Sequence, residues 1–413
     1  MPKLNRPTAI IIAAFLVLLF TTSPAWPPQP AHPQAAAADA ALATPGQATV
    51  PTGVQRATAT PPLITLAVPT PAPPTPTPLM LPTTGAPSTA LGNTLDGYLK
   101  QLVQAGLFQG AVLVAHSGQV VLDQGYGLAD AARKLPNTPQ TRFQIASMTK
   151  QFTALAALQL VARDQLALDA SVCTYLDDCP AAWKPVIIRQ LLNHTSGLPN
   201  YTDLASFNTT QTRPATPTEL IATIRDLPLI FTPGSTYMYE NTDYVLLGMI
   251  IERVSGMSYG DFLQLHIFAP LGMDNTGAAD TAPPAPNQAL GYSTPGELAP
   301  ILHPTTLFSA GGIHSTVEDM YRWDQALYTN QLLPQELRDQ LWTPGMGAYG
   351  YGWRISTRSG HRMISHAGLM DGFAGMIARF PDDRLTVIVL GNMSAADPEG
   401  IAGYLADLVF QST

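Results

Sequence analysis

Two groups of strand-like segments, one early and one late in the chain, constrain its fold more than any other feature. Residues 110–127, GAVLVAHSGQVVLDQGYG, alternate like two strands around a turn at 116–118. Four further segments follow near the C-terminus, the last two joined by a PDDR turn: YGYGWRIS (349–356), RMISHAG (362–368), FAGMIARF (373–380) and LTVIVLGN (385–392). The long section between the groups reads as mostly helical, with proline and glycine breaks. This order predicts an α/β (α+β) fold, in which helices pack an antiparallel sheet from both chain ends and a helical lobe is inserted.

A composition change divides the ordered part of the chain from what precedes it. Residues 26–90 are rich in Pro, Thr and Ala and carry almost no charge, so they cannot build a core. We predict a disordered, polyproline-like linker there and a single domain over residues 91–413. A tether that holds the domain away from a membrane is the favoured interpretation, and a cleaved leader is the alternative.

The first 25 residues resemble an export signal. Lys3 and Arg6 give a positive start, residues 9–20 form an apolar run, and Ser23-Pro24-Ala25 offers a small-residue cleavage site. An uncleaved N-terminal anchor is the alternative. Either interpretation predicts an extracytoplasmic protein, secreted or tethered to a membrane through its N-terminus.

Charge and motif content exclude several classes of function. The net charge is −8 without a basic cluster, so nucleic acid is not an expected partner. Neither HExxH nor CxxC occurs and the eight histidines are scattered, so we predict no metal and no cofactor. The two cysteines, Cys173 and Cys179, lie close together in CTYLDDCP. In an exported protein such a pair favours a disulfide, with two free thiols as the alternative.

The segment QIASMTKQFTA (144–154) carries the first candidate site. Ser147 and Lys150 are three residues apart, which places both side chains on one face at the start of a helix. Serine needs a base to act as a nucleophile, and a lysine can be that base when burial lowers its pKa. The apolar neighbours Phe143, Ile145 and Phe152 offer such a dry setting. The alternative is a capping serine followed by a surface lysine.

The segment FTPGSTYMYENTDYVLLGMIIERVSG (231–256) carries the second. Tyr239 and Asn241 lie immediately before an apolar helix, where a tyrosine could shuttle protons and an asparagine could bind a substrate amide. The alternatives are a core tyrosine and a helix-capping asparagine.

The third candidate, ISHAGLMDGFAG (364–375), lies on a predicted strand next to a glycine-rich turn. The small residues after His366 would let a substrate lie along the strand, with Gly368 leaving room. The backbone N–H of Leu369 could form an oxyanion hole with that of Ser147. An edge-strand histidine with a bulge is the alternative.

Two further patterns are set aside. Ser258 fits G-x-S-x-G, but a helix precedes it where the nucleophile elbow needs a strand, so a cap for the next helix is predicted. Residues 345–350 fit G-x-G-x-x-G but open a predicted strand instead of a helix, which argues against a dinucleotide site.

From about Asn93 to Phe410 the chain resembles the serine β-lactamase and penicillin-binding-protein superfamily. The resemblance is closest to the branch of class C β-lactamases, D-alanyl-D-alanine carboxypeptidases, D-aminopeptidases and related esterases. It rests on six stretches in this order: FQIASMTKQFTALAALQLV, IIRQLLNHTSGLPNY, FTPGSTYMYENTDYVLLGMIIERVSG, IFAPLGMDNT, SAGGIHSTVEDMYRWDQAL and ISHAGLMDGF. The resemblance implies a β-lactamase/transpeptidase-like fold, with Ser147 as nucleophile, Lys150 as its proton partner, Tyr239 as general base and acid with Asn241 beside it, and residues 366–368 as the third motif.

Two departures from the family pattern bear on the substrate. β-Lactamases of this type usually carry lysine where this chain has His366, and histidine is mostly neutral near pH 7. Glu240 stands where serine is common. We therefore expect a serine hydrolase acting through an acyl-enzyme on D-amino-acid peptides or small esters. The alternatives are a β-lactamase and a non-catalytic module that binds cell-wall peptides.

Overall fold

The computed structural model describes residues 89–278, 286–300 and 302–412. The predicted signal or anchor (1–25) and nearly all of the predicted linker (26–90) lie outside these residues. The described helices are α1 (Ala90–Gln104), α2 (Thr149–Val161), α3 (Ile188–Leu192), α4 (Ala205–Thr210), α5 (Pro217–Ala222), α6 (Thr242–Ser255), α7 (Tyr259–Leu263), α8 (Ala269–Leu271), α9 (Phe308–Gly311), α10 (Val317–Ala326), α11 (Gln335–Arg338) and α12 (Pro398–Ser412).

The main sheet joins the two ends of the domain, as the strand pattern predicts. The described strands are β1 (Gly110–His116), β2 (Gln119–Tyr126), β3 (Leu128–Asp130), β4 (Leu135–Pro136), β5 (Phe143–Gln144), β6 (Gly277–Ala278), β7 (Tyr292–Thr294), β8 (Glu297–Leu298), β9 (Ile313–Ser315), β10 (Arg354–Arg358), β11 (His361–Met370), β12 (Phe373–Phe380) and β13 (Leu385–Gly391). Six of them form one antiparallel sheet in the order β10-β11-β12-β13-β1-β2. The predicted α/β fold, with a sheet from both chain ends, is confirmed.

Both faces of this sheet are buried, because alternate side chains of β1 enter different cores. Val112 and Val114 pack with α1 and α12 in one cluster of apolar side chains. Leu113 points into the larger cluster, which holds most of α2 and α6. The sheet thus separates a layer made of the two terminal helices from the helical lobe.

One predicted strand is wrong over its first half. Residues 349–353 do not join the sheet, and β10 begins only at Arg354. A Cβ on Gly350 would lie 2.2 Å from the carbonyl oxygen of Leu341, and one on Gly352 would lie 2.6 Å from that of Lys150. The segment therefore packs against other backbone segments. Such close approach needs glycine, and at Gly352 it also needs a φ of +76°.

The helical lobe contains the predicted disulfide. Cys173 and Cys179 are bonded to each other, so the alternative of two free thiols is wrong. Arg253 of α6 contacts Asp177 within the closed loop at 2.9 Å. None of the described helices is both long and apolar enough to cross a membrane.

Candidate active site

Ser147 lies on a tight turn between β5 and α2. The turn is a single 3-10 turn, Ala146–Met148, and Ala146 has a φ of 45° in the left-handed region. A non-glycine residue in that region is strained, and such strain is frequent where a side chain must be held in a fixed orientation. The turn holds the half-buried Ser147 hydroxyl directly above the first turn of α2.

Lys150, one helical turn further on, is completely buried. Its Nζ donates to three oxygens: Ser147 Oγ at 3.2 Å, Asn241 Oδ1 at 2.8 Å and the carbonyl oxygen of Ala310 at 2.9 Å. An ammonium has three protons to donate, so each has an acceptor. The alternative of a surface lysine is therefore wrong.

Burial changes the charge state of Lys150. It lowers the pKa of the amine from 10.5 to about 7, and the carboxylates of Glu240 and Asp243 oppose part of that shift. Near neutral pH a large fraction of Lys150 is the free amine. In that form it is a base within hydrogen-bonding distance of the Ser147 hydroxyl.

Tyr239 faces the same pair from the segment before α6. The Nζ of Lys150 lies 4.8 Å from the centroid of the Tyr239 ring. Burial raises the pKa of Tyr239, and a hydrogen bond with Ser147 opposes this shift only partly. Tyr239 is therefore a phenol at neutral pH and can donate a proton, whereas Lys150 is the group of the two that is available as a base.

Asn241 serves Lys150 and does not cap the helix that follows it. Its side chain makes no capping hydrogen bond to α6, although it occupies the N-cap position. Its Nδ2 donates to Thr202 Oγ1 at 3.2 Å, and its backbone N–H donates to Asn200 Oδ1 at 3.0 Å. These contacts orient the amide so that Oδ1 points to Lys150. The alternative of a capping asparagine is wrong.

His366 lies on β11 and is held in one neutral form. Nδ1 lies 2.6 Å from the carbonyl oxygen of Ala367, which assigns the ring proton to Nδ1. Nε2 then accepts a hydrogen bond of 2.8 Å from the hydroxyl of Tyr349. Burial lowers the pKa of His366 to about 3, helped by the positive charges of Lys150 and Arg354. The imidazole is neutral across the physiological range and supplies no positive charge for a carboxylate.

The second half of β11 offers an edge beside Ser147. β10 pairs with β11 only as far as Ser365, so it does not cover residues 366–370. A Cβ on Gly368 would lie 2.0 Å from the carbonyl oxygen of Ile145, which shows how closely the strand approaches the Ser147 turn. Leu369, the next residue, is 64% exposed. Gly368 and Leu369 therefore lie on an uncovered strand edge beside Ser147, and the substrate-binding and oxyanion roles of this edge stay predictions.

Ser258 is a helix cap, as predicted. Its Oγ accepts from the backbone N–H of Asp261 at 3.1 Å and donates to that residue's carboxylate at 2.7 Å. Neither contact involves a lysine or a histidine. The G-x-G-x-x-G segment, residues 345–350, forms a 3-10 turn at its centre and precedes no long helix.

Four residues at the site were not predicted from the sequence. Tyr349 belongs to the rejected G-x-G-x-x-G pattern, and its contact with His366 depends on tertiary packing. The Ala310 carbonyl group carries no side-chain signal. His194, within the quoted stretch IIRQLLNHTSGLPNY, lies 4.5 Å from Tyr239 between ring centroids, and Asp243 lies beneath it.

Among the described residues, one group offers three possible metal ligands. The ligand atoms of His194, Glu240 and Asp243 lie within 4.8 Å of one another, and all three residues are buried. Burial raises the pKa values of both the Glu240 and the Asp243 carboxyl groups, so a proton held by this pair accounts for the cluster without a cation.

Comparisons with known proteins bear on the family of this chain. The family model described as beta-lactamase matches residues 95–410. Penicillin-binding protein 4* of Bacillus subtilis is 33% identical over 310 residues, which cover 69% of this chain and 68% of that protein. The structure of a penicillin-binding protein from Bacillus halodurans is 28% identical, with a TM-score of 0.67, and the match covers 75% of this chain and 99% of that one.

A more distant structure shares the fold alone. The D-amino acid amidase of Ochrobactrum anthropi SV3, solved with D-phenylalanine, is 24% identical with a TM-score of 0.71, and covers 79% of this chain and 100% of its own. Since the beta-lactamase family model spans most of the chain and the relatives match over most of their own length, the chain belongs to the β-lactamase family and is a serine hydrolase with the β-lactamase/transpeptidase fold.

Proposed function

We propose that this hydrolase acts through an acyl-enzyme on Ser147 and that its substrates are peptides containing D-amino acids or small esters. The observation that carries the proposal is the 3.2 Å contact between Ser147 Oγ and the Nζ of a fully buried Lys150. A serine becomes a nucleophile when a base within hydrogen-bonding reach accepts its proton. Lys150 has both the distance and, with a pKa lowered to about 7, the basicity for this step.

The acylation step follows from these positions. The Lys150 amine accepts the Ser147 proton while Oγ forms a bond to the substrate carbonyl carbon. The bond from that carbon to the leaving nitrogen or oxygen then breaks. Tyr239 donates its phenolic proton to the leaving group and regains one from the Lys150 ammonium. In the second half a water molecule gives a proton to Lys150 and attacks the ester, and Ser147 recovers its proton.

The charge around β11 bears on which substrates bind. Because His366 is neutral, a substrate carboxylate would have to be recognised by another cation. Arg354, at the start of β10, acts on the site through its charge, which lowers the pKa values of both His366 and Tyr239. A peptide ending in D-alanyl-D-alanine and its C-terminal amide form a matched pair of substrates. Comparing them shows whether the enzyme prefers a free carboxylate or a neutral group. Faster turnover of the free acid favours a carboxypeptidase, whereas equal or faster turnover of the amide favours an amidase or esterase.

Acylation of Ser147 is testable with a fluorophosphonate or a slowly hydrolysed β-lactam, followed by intact-mass measurement and peptide mapping. We expect one adduct per chain, on Ser147, and its complete loss in Ser147→Ala. Ser258→Ala is the matched control, since Ser258 is a serine in a motif-like context with a capping role, and it should label like the parent. An adduct that persists in Ser147→Ala, or that maps to Ser258, would refute the assignment.

β-Lactam hydrolysis is the second candidate, because both the Bacillus subtilis and the Bacillus halodurans relatives carry the name penicillin-binding protein. A chromogenic β-lactam distinguishes turnover from a single stoichiometric burst. A chain that neither labels nor turns over any of these compounds would be a binding module.

Export is also part of the proposal and rests on residues 1–25. N-terminal sequencing of the protein recovered from culture medium and from membranes tests it. Cleavage after Ala25 is expected for a signal peptide, and an intact N-terminus in the membrane fraction for an anchor. Recovery of the intact chain in the cytoplasm alone would contradict both.

A further inference from the structure

The start of α6 is capped in an unusual way. Asn241 occupies the N-cap position, from which an asparagine side chain normally accepts the N–H two or three residues later. Here the backbone N–H of Asp243, two residues on, donates instead to Oε1 of Glu240 at 2.8 Å. Glu240, one residue before the helix cap, thus satisfies the donor that Asn241 would otherwise take.

The Asn241 side chain is free for another contact as a result. Its Oδ1 accepts from Lys150 Nζ at 2.8 Å, the shortest of that amine's three hydrogen bonds. A single amide oxygen cannot point both along the axis of α6 and towards α2. The contact with Lys150 therefore depends on another group capping the helix.

The side chain of Glu240 is buried. It is 1% exposed, although a glutamate just before a helix is ordinarily solvated. Its carboxyl group lies beside that of Asp243, which in turn lies 3.3 Å from Nδ1 of His194. Burying a carboxyl group costs free energy, and a serine could cap the helix without that cost. The buried Glu240 therefore calls for a role beyond capping.

We propose that Glu240 is a positioning residue for the catalytic pair: by capping α6 in place of Asn241, it leaves the Asn241 amide oxygen to hold the amine of Lys150 against Ser147. This inference rests on the proposed function of Ser147 and Lys150. Glu240 touches neither substrate nor the reacting atoms, and acts through Asn241.

The buried acid pair also adds a charge effect. The negative charges of Glu240 and Asp243 favour the ammonium form of Lys150. Other titratable and charged groups surround Lys150, Glu240 and Asp243 from every neighbouring element. They are His194 and Tyr201 from the loops beside α3, Tyr237 and Tyr239 before α6, Tyr244 from α6, Tyr349 before β10, Arg354 from β10 and His366 from β11. Among all these groups, the carboxyl groups of Glu240 and Asp243 are the source of negative charge.

The experiment measures the rate of Ser147 acylation by a fluorophosphonate from pH 5 to 10 in the full chain. Glu240→Ala removes the cap, so Asn241 should turn to the Asp243 N–H, and the acylation rate at high pH should fall about 10-fold, as for the loss of one hydrogen bond. Glu240→Gln keeps a capping oxygen and should recover most of that loss. In an Asn241→Ala background, Glu240→Ala should cause little further loss, because both act on the same contact.

The pH profile separates this role from simple stabilisation. Glu240→Gln combined with Asp243→Asn removes the negative charge of the acid pair. The pH at which the acylation rate begins to fall should then drop by about one unit. Asp319→Asn is the matched control. Asp319 is also a buried acid that accepts a backbone N–H, from Asn275 at 2.8 Å, and none of its hydrogen bonds reaches the site. That variant should lower the melting temperature and leave the profile unmoved.

Several results would overturn the inference. The first is an unchanged acylation rate at high pH in Glu240→Ala, and the second is full additivity of the rate losses caused by Glu240→Ala and Asn241→Ala. The third is an unchanged pH dependence of the rate in the double amide variant, which also provides a test if Glu240→Ala fails to fold. One divalent cation per chain by elemental analysis, lost in His194→Ala, would assign the carboxylates to a metal instead. If the parent protein itself does not label at Ser147, the proposed function fails, and that outcome is distinct from all of these.

Discussion

The pH dependence of Ser147 acylation tests the central charge argument. An ordinary lysine has a pKa of 10.5, and burial brings that of Lys150 to about 7. A change of this size corresponds to roughly 5 kcal/mol of preference for the neutral amine. At pH 7 about half of Lys150 is then the free base, against about 0.03% for an exposed lysine.

The sign follows from which form is active. Only the neutral amine accepts the Ser147 proton, so the acylation rate should rise about 10-fold per pH unit below 7 and level off above it. Stopped-flow or quenched-flow labelling with a neutral fluorophosphonate, from pH 5 to 10, measures this without substrate ionisation. Lys150→Ala should lower the plateau by about 10²-fold or more and remove the limb near pH 7.

Two profiles would refute this reasoning. A rate that keeps rising to pH 10 means that Lys150 titrates as an exposed lysine. A rate that is flat from pH 5 to 10 in the parent, with no loss in Lys150→Ala, means that another group is the base. Circular dichroism at each pH is the control that distinguishes titration of the site from loss of fold.

The remaining predictions concern the domain boundary, the disulfide and the third motif. A chain that begins at Thr89, whose Oγ1 caps α1 by accepting the Gly92 N–H at 2.9 Å, should unfold cooperatively and keep its labelling rate; loss of either places essential residues upstream. Replacing both Cys173 and Cys179 by serine should lower the free energy of unfolding in urea by about 2 kcal/mol, since the closed loop is short, and an unchanged midpoint would show that the bond adds no stability. The KM for an anionic peptide should show no step from pH 5 to 8, because His366 stays neutral there, and a fall in KM as the pH drops through 6.5 would contradict its low pKa.

The parts of the site that lie on regular elements could be predicted from the sequence. Ser147 and Lys150 are one helical turn apart, and that spacing alone places their side chains together. The strand around His366 was predictable because its neighbours alternate and a glycine-rich turn follows. The hairpin between β12 and β13 was predictable from the PDDR turn that joins them.

What could not be predicted depends on contacts between distant parts of the chain. Tyr349 meets His366 because residues 349–353 leave the sheet and pack over Lys150, and local propensity had favoured a strand there. The Ala310 carbonyl group reaches Lys150 across 160 residues of sequence. The low pKa of His366 could not be predicted either, because an imidazole pKa near 6.5 applies only to a solvated ring and burial lowers it here.

The neutral state of His366 has a consequence for the whole site. Lys150 already lowers the pKa of His366, so a lysine at that position would place a second ammonium within its field. Two buried like charges raise each other's cost of ionisation, and the acidic limb of a His366→Lys variant should move below pH 7. The neutral imidazole avoids this, because it only accepts from Tyr349 and donates to the Ala367 carbonyl group. We therefore propose that recognition of a charged substrate is separated from the charge of the base and would involve a more exposed cation such as Arg354. Arg354→Gln should then raise the KM for the free-acid peptide and leave that for its amide unchanged; an equal rise for both would show that Arg354 shapes the cleft without reading charge.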